Sequence, residues 1–462
     1  MVERKGSVRH DEAPSAIGAD EESADVRGVS VSSGIVEADA PDDATDTTKA
    51  PGESAAAERL VEVALDAWEQ RGYAGISARA IAQGAEQPVS SIYYHFTDLE
   101  HLLIASQHRA LELARGWCAH QLAAMPALLT PAADAMPPLM SALIQNWSVD
   151  NRRLAFAWRE CQLVAARNDA YVPALHGWGE LWSEFWEEIC RRGGVPELAQ
   201  LSRFMFDGEG FLHLIQGEPV LDAACLVELC RGWGDWLAGR PAIEGPWRRH
   251  ARLAAEQAAQ AEPALDGGVA ERIAAAAADL VTRNGPAGLT HRAVAAEAGL
   301  TLGAISYHFR TSADLIQVAF EMVYRRAMVR PKEPAPAPIR SRKDYEDFRR
   351  RTIGREDSPE TVLSRLAMHE LLVAVARDSA LKGFASQLRY LRGRTSRNYL
   401  AMLLGPEEAG SRLEAAMLSN ISFGRGRGYF GLTPAERLVA RARDLDQVDR
   451  LLLSTRQSHL DN

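Results

Sequence analysis

The chain has 462 residues, a length that allows three or four domains, and 47% hydrophobic residues with no apolar run near the ~20 that a membrane span needs. Its formal net charge of -10 divides unevenly: residues 1–54 hold 13 Asp/Glu against 5 Lys/Arg, or -8, which leaves 55–462 at -2. The five cysteines (Cys118, Cys161, Cys190, Cys225, Cys230) are odd in number and contain no CxxC pair, so they read as buried thiols rather than a metal or redox centre.

In chain order, the acidic segment 1–54 is rich in Ala, Ser, Asp and Glu with almost no aromatics, a composition expected to stay disordered. It has no apolar h-region, so the expected location is the cytoplasm. AERLVEVALDAWEQRGYAGISARAIAQGAEQPVSSIYYHF (57–96) then aligns without a gap on AERIAAAAADLVTRNGPAGLTHRAVAAEAGLTLGAISYHF (270–309) at an offset of 213 residues. Such a period marks duplication of a whole unit rather than stacked small repeats. A second match at an offset of 210 sets Glu160 over Glu370 and Arg167 over Arg377, and Val195-Pro196-Glu197 falls over Gly405-Pro406-Glu407.

Within each matched segment, apolar residues recur at helical spacing (Leu60, Ala64, Ala67, Trp68; Ile273, Ala277, Leu280, Val281). Gly72 and Gly285 fall where each first helix should stop, and Ser77 and Thr290 are placed to cap a second helix. In the second copy Ala298-Gly299-Leu300-Thr301 supplies a tight turn and the next cap. Three short helices with such a turn form a helix-turn-helix. Nothing alternates with the period of a strand, so the expected fold is all-α.

These segments, and above all their Tyr-His-Phe endings, resemble the signature of the TetR/AcrR family of regulators. The resemblance implies two tandem units, each a three-helix DNA-binding domain followed by a helical ligand and dimerisation domain, joined as an intramolecular pseudo-dimer. The expected divisions are a tail (1–54), a first helix-turn-helix (55–101), a first ligand domain (102–240), a linker (241–267) with a helical middle, a second helix-turn-helix (268–314) and a second ligand domain (315–456). The Pro-rich stretch Arg330 to Arg340 reads as an extended loop. Pro196 to Gln216 and Pro219 to Leu237 are expected to bundle with Pro406 to Tyr429 and Pro434 to Leu453, with the Gly424 to Gly428 run weakening its helix.

The recognition helices map to Pro88–Tyr94 and Thr301–Tyr307, with Phe96 and Phe309 in the core. Candidate DNA-binding residues are Ser77, Arg79, Ser90, Ser91, Tyr93, Tyr94 and His95 in the first copy, and Thr290, Arg292, Thr301, Gly303, Ala304, Tyr307 and His308 in the second. The chain departs from the family pattern in several places. Glu86 replaces the turn glycine, Pro88 replaces the capping hydroxyl, Ser306 replaces the first tyrosine, and Val89 and Leu302 stand where a lysine is common. Residues 57–105 hold three Arg against seven Asp/Glu, and 270–318 hold four against four, so neither unit has the basic footprint that phosphate contact favours. The run Arg325, Arg326, Arg330, Lys332, Arg340, Arg342, Lys343 reads either as a solvated face or as compensation for that missing charge. Because the two recognition helices differ in their outward residues, unlike half-sites and an asymmetric operator are expected.

All ten tryptophans precede residue 248, and Trp178, Trp182 and Trp186 recur every four residues. Such a stripe reads either as helix packing or as an aromatic-lined pocket, in which case Trp147, Trp158, Gln162, His176, Trp178 and Trp182 are candidates for binding an aromatic or apolar effector, in the first copy only. No catalytic array, phosphate-cradling loop or metal spacing is present in the sequence, and His95, Asp98 and His101 straddle a helix boundary at the surface. The expected function is a ligand-responsive repressor, not an enzyme, with no cofactor, acting as a monomer on double-stranded DNA. The competing expectation is a degenerate small-molecule or protein-binding module that has lost DNA binding.

Overall fold

The computed structural model describes residues 51–125, 132–261, 268–328, 339, 341–356, 358–378, 381, 384–405, 410–429 and 432–455. The acidic stretch up to residue 50, most of the Pro-rich segment and the Pro406-Glu407 match lie outside the described residues. Every regular element among the described residues is helical. None of those helices is long and apolar enough to cross a membrane.

The first copy runs α1 (Pro51–Gln70), α2 (Gly72–Gly75), α3 (Ala78–Gly84), α4 (Val89–Phe96), α5 (Leu99–Ala124), α6 (Ala132–Gln145), a π turn (Asn146–Asp150), α7 (Arg152–Ala165), α8 (Val172–Arg192), α9 (Ala199–Leu214) and α10 (Pro219–Leu237). Helix α1 begins at Pro51, within the segment read as tail. The connector contributes α11 (Pro246–Ala261), which packs on α10 and on a helix of the second copy. The second copy follows with α12 (Val269–Asn284), α13 (His291–Ala298), α14 (Leu302–His308), α15 (Ser312–Met328), α16 (Arg342–Glu356), α17 (Pro359–Arg377), α18 (Ala385–Tyr390), α19 (Arg394–Leu404), α20 (Arg412–Gly428) and α21 (Pro434–Ser454). Its α18 and α19 stand where the first copy has the single α8. The break falls at Gly393, whose φ of 103° suits glycine, and where a Cβ would lie 2.7 Å from the backbone of Ala415.

One hydrophobic core runs through both copies, with Phe204 and Leu212 of the first in the same cluster as Leu413, Met417 and Ile421 of the second. Its centre is the crossing of α9 on α20. A Cβ at Gly208 would lie 2.2 Å from the carbonyl oxygen of Asn420, and one at Gly424 would lie 2.2 Å from that of Phe204. Both matched pairs, 208/424 and 204/420, are 216 residues apart, so the contact is isologous: the same patch of each copy meets itself across a pseudo-twofold.

This contact corrects one expectation. The Gly-Arg run does not weaken α20, which is helical through Gly428; Gly424 is the small residue that lets two backbones touch. The four helices expected in the bundle do meet across the copies, α10 touching both α20 and α21. Helices α9 and α20 form its axis, α10 lies chiefly against α6, and α21 flanks α9 by a smaller surface. Glu414 of α20 accepts from Trp236 Nε1 (3.0 Å) and from the Ala242 amide (3.1 Å), which ties the end of the first copy to the second.

Candidate nucleic-acid interface

The first helix-turn-helix is built on α1, whose inward Leu60, Ala64 and Trp68 are fully buried and share a core with Ile81 of α3 and Ile92 of α4. Ser77 caps α3 by accepting from the Ala80 amide at 3.3 Å. The turn before α4 carries the strain that the substitutions foretell. Glu86 takes φ +55°, a left-handed geometry that favours glycine, and Pro88 makes no side-chain cap. Arg79, Ser90, Tyr93 and Tyr94 are exposed, the tyrosines at 56% and 68%. Ser91 is half-buried and donates weakly to Gln87 Oε1 at 3.5 Å. His95 is half-buried against the Tyr94 ring, 4.9 Å between centroids, and its Nδ1 has no hydrogen-bond partner.

The second unit lacks that strain. Thr290 caps α13 through the Ala293 amide (3.1 Å), Gly299 takes the left-handed turn at φ +62°, and Thr301 caps α14 through the Ala304 amide (3.2 Å). Val294 and Ile305 are buried beneath α12. Thr290, Arg292, Thr301, Gly303, Tyr307 and His308 are exposed, Tyr307 at 83%, while Ala304 is half-buried. Phe96 and Phe309 are only partly buried, packed against the core from its edge. Among the described residues, Asp98 caps α5 through the His101 amide and pairs with its ring at 2.8 Å, a helix-start contact that the backbone and side-chain bonds hold below the usual carboxylate range. Each unit thus offers a short, aromatic-tipped helix to solvent.

The effector candidates divide. Trp147, Trp158, Trp178 and Trp182 are buried and meet in one aromatic cluster, with Trp182 4.9 Å from both Trp147 and Trp158. Gln162 is buried and accepts from Arg159 Nη1 at 3.3 Å. His176, on α8, is exposed and does not join them. The rings pack on one another, and grooves among the described residues lie elsewhere, along α16/α21 and along α1/α3. The indole N–H groups of Trp147, Trp182 and Trp186 are buried without a partner. All five cysteines are buried and free, and burial pushes the thiols of Cys118 and Cys161 up to about 12.

Sequence reasoning missed how the matched charges pair. Glu160 and Arg377 form an ion pair, and Arg167 meets Glu370 at 2.5 Å, so the equivalent residues seen at offset 210 bond crosswise between copies. The signal available was that both an acid and a base repeat at one offset. Asp207 is likewise shared, by Arg159 of the first copy and Arg427 of the second.

A three-helix module with an exposed third helix, carried twice among described residues whose regular elements are all helical, is the architecture of a helix-turn-helix DNA-binding domain. The family of bacterial regulatory proteins, tetR family, matches at residues 60–105 and at 273–319. No curated protein matches the chain. The chain thus carries two tandem N-terminal domains of the tetR family, which support a DNA-binding transcriptional regulator.

Proposed function

We propose that the protein is a ligand-responsive repressor that acts as a single-chain pseudo-dimer and reads an asymmetric operator. The observation that carries this reading is that one chain holds two exposed recognition helices with unlike faces: Ser90, Tyr93 and Tyr94 on one, Leu302, Ser306 and Tyr307 on the other. A homodimer repeats one face and requires a palindrome, whereas two different faces fixed in one chain favour two different half-sites. The fused arrangement also replaces a concentration-dependent association with an intramolecular one, so a monomer is competent. Ser77, Arg79, Ser91, Thr290, Arg292 and Thr301 contact phosphates, Ser90, Gly303 and Ala304 meet base edges, and the Tyr-His pairs 93–95 and 307–308 complete the interface.

The effector is aromatic or apolar with a hydrogen-bond acceptor, and binds in the tryptophan cluster of α7 and α8. Three unpaired indole N–H groups, of Trp147, Trp182 and Trp186, support this, because a buried donor without an acceptor carries a desolvation cost that a ligand removes. Binding requires those rings to part. His176 plays no part in it.

Selection of bound sequences from random duplexes, combined with the mass of the complex in solution, tests the reading. One chain on a site with two unlike halves is the expected result, and a perfectly palindromic optimum refutes it. A second reading, that the first unit has lost DNA binding, is favoured by the uncapped Pro88 and the strained Glu86. It predicts that only the half-site contacted by α14 is selected.

A further inference from the structure

The crossed ion pairs lie where the two DNA-binding units meet. Gly72 and Gly285 end the first helix of each unit, and both take positive φ, 63° and 71°. A Cβ at Gly72 would fall 2.7 Å from Arg377 Nη1 and from Glu160 Oε1. One at Gly285 would fall 3.1 Å from Glu370 Oε1 and 3.3 Å from Arg167 Nη1. Each helix-turn-helix therefore rests its glycine on an ion pair contributed half by its own copy and half by the other.

Arg377 reaches further. Its Nε donates to the Glu69 carbonyl at 2.8 Å and its Nη2 to that of Trp68 at 3.1 Å, so a cation of the second copy satisfies the last carbonyls of α1 in the first. The Tyr73 amide donates to Glu160 Oε2 at 3.2 Å. From the other direction, Arg152 donates to the Ala376 carbonyl at 2.5 Å and to Glu69 Oε1 at 2.9 Å. Helix α2 also touches the Pro286–Gly288 turn of the second unit.

We propose that Glu160, Arg167, Glu370 and Arg377 are positioning residues that fix the separation and relative orientation of the two recognition helices, and thereby set the spacing between half-sites. The DNA part rests on the reading that both units engage one duplex. A largely buried ion pair gains little over a well-packed apolar pair, yet it is directional, and removing one partner leaves a charge stranded. Here the direction is set against backbone on both sides, by the glycines and by the α1 carbonyls, so the clasp resists sliding of one unit over the other. Each extra base pair between half-sites rotates the second by roughly a tenth of a turn, so a fixed clasp reads as a sharp spacing optimum.

The test uses the full chain with spin labels at Ser90→Cys and Ser306→Cys, both exposed positions, and measures the distance distribution between them by pulsed dipolar spectroscopy without DNA. A narrow distribution is expected for the parent, a broad or displaced one for Arg377→Gln and for Arg167→Gln, and a narrow one again for Arg167→Lys, which keeps a cation facing Glu370. Should Arg377→Gln fail to fold, Arg167→Gln, at the more open pair, carries the same comparison. In parallel, duplexes whose half-sites differ in spacing by single base pairs should show the parent's preference for its best spacing falling by at least about fivefold in Arg377→Gln. An unchanged distance distribution in both single variants overturns the proposal, as does an equal loss of affinity at every spacing. If the distances broaden as expected while no variant or parent binds DNA, the positioning role stands and the operator reading falls.

Discussion

Gly424→Ala tests the close crossing at the heart of the fold. The added Cβ would lie 2.2 Å from the Phe204 carbonyl oxygen, 2.9 Å from its carbon and 3.0 Å from its Cα, all backbone atoms that cannot turn aside. Restoring ordinary contact requires the two helices to part by about 1 Å, which strips dispersion contacts along the whole crossing. Overpacking of this kind costs about 1–3 kcal/mol, while alanine in place of a mid-helix glycine returns about 1 kcal/mol of helix propensity. The clash wins because the crowded atoms belong to two helices at once, so a net loss of about 2 kcal/mol or less is expected, seen as a lowered urea midpoint. Gly116→Ala in α5 is the control. Nothing lies within 4 Å of its Cβ, so there the propensity gain of up to about 1 kcal/mol should survive. Gly208→Ala should match Gly424→Ala, because its Cβ meets the Asn420 carbonyl at the same 2.2 Å. The double variant should cost less than the sum, since the first methyl has already opened the crossing. If Gly424→Ala proves stabilising, as Gly116→Ala should, the helices are not in backbone contact and the pseudo-twofold argument fails.

Burial pushes the Glu370 carboxyl up from 4.5 to about 7, against the lowering effect of Arg167. A raised folded-state value means that this group's contribution to stability is fully present below about 4.5 and is lost as pH rises through about 7; Glu370→Gln should flatten that part of the denaturation profile across this window. Thr301→Ala removes the cap on α14 and should cost about 1 kcal/mol together with DNA affinity in gel shifts, whereas Thr301→Ser, which keeps the hydroxyl, should retain both. Trp182 packs on Trp117, Trp147, Trp158, Phe185 and Phe206, so Trp182→Ala should cost about 3–5 kcal/mol by thermal denaturation. Trp182→Phe should cost much less, because the indole N–H has no partner to lose.

The duplication, the helical class and the two DNA-binding modules were legible in the chain because they rest on local rules. Helical spacing of Leu60, Ala64 and Trp68, glycines at 72 and 285, and hydroxyls at 77, 290 and 301 each act within a few residues of themselves, and each does in the structure what its chemistry implies. The departures at Glu86 and Pro88 were equally legible, as a strained φ and a missing cap.

What tertiary structure decided is how the copies meet. Gly424 looks like a helix breaker when its own helix is considered alone, and becomes a contact point only when α9 supplies Gly208 and the Phe204 backbone across the crossing. Glu160, Arg167, Glu370 and Arg377 are four ordinary charges along the chain, and become crossed partners only when α7 and α17 are brought side by side. The tryptophan spacing located a buried helix face but did not distinguish a closed aromatic core from a pocket, nor reveal that His176 faces solvent. Local propensity depends on neighbours in sequence, whereas the filling of a core depends on groups tens of residues away, and the helix crossing and crossed ion pairs on groups more than 200 residues away, whose distance no periodicity encodes.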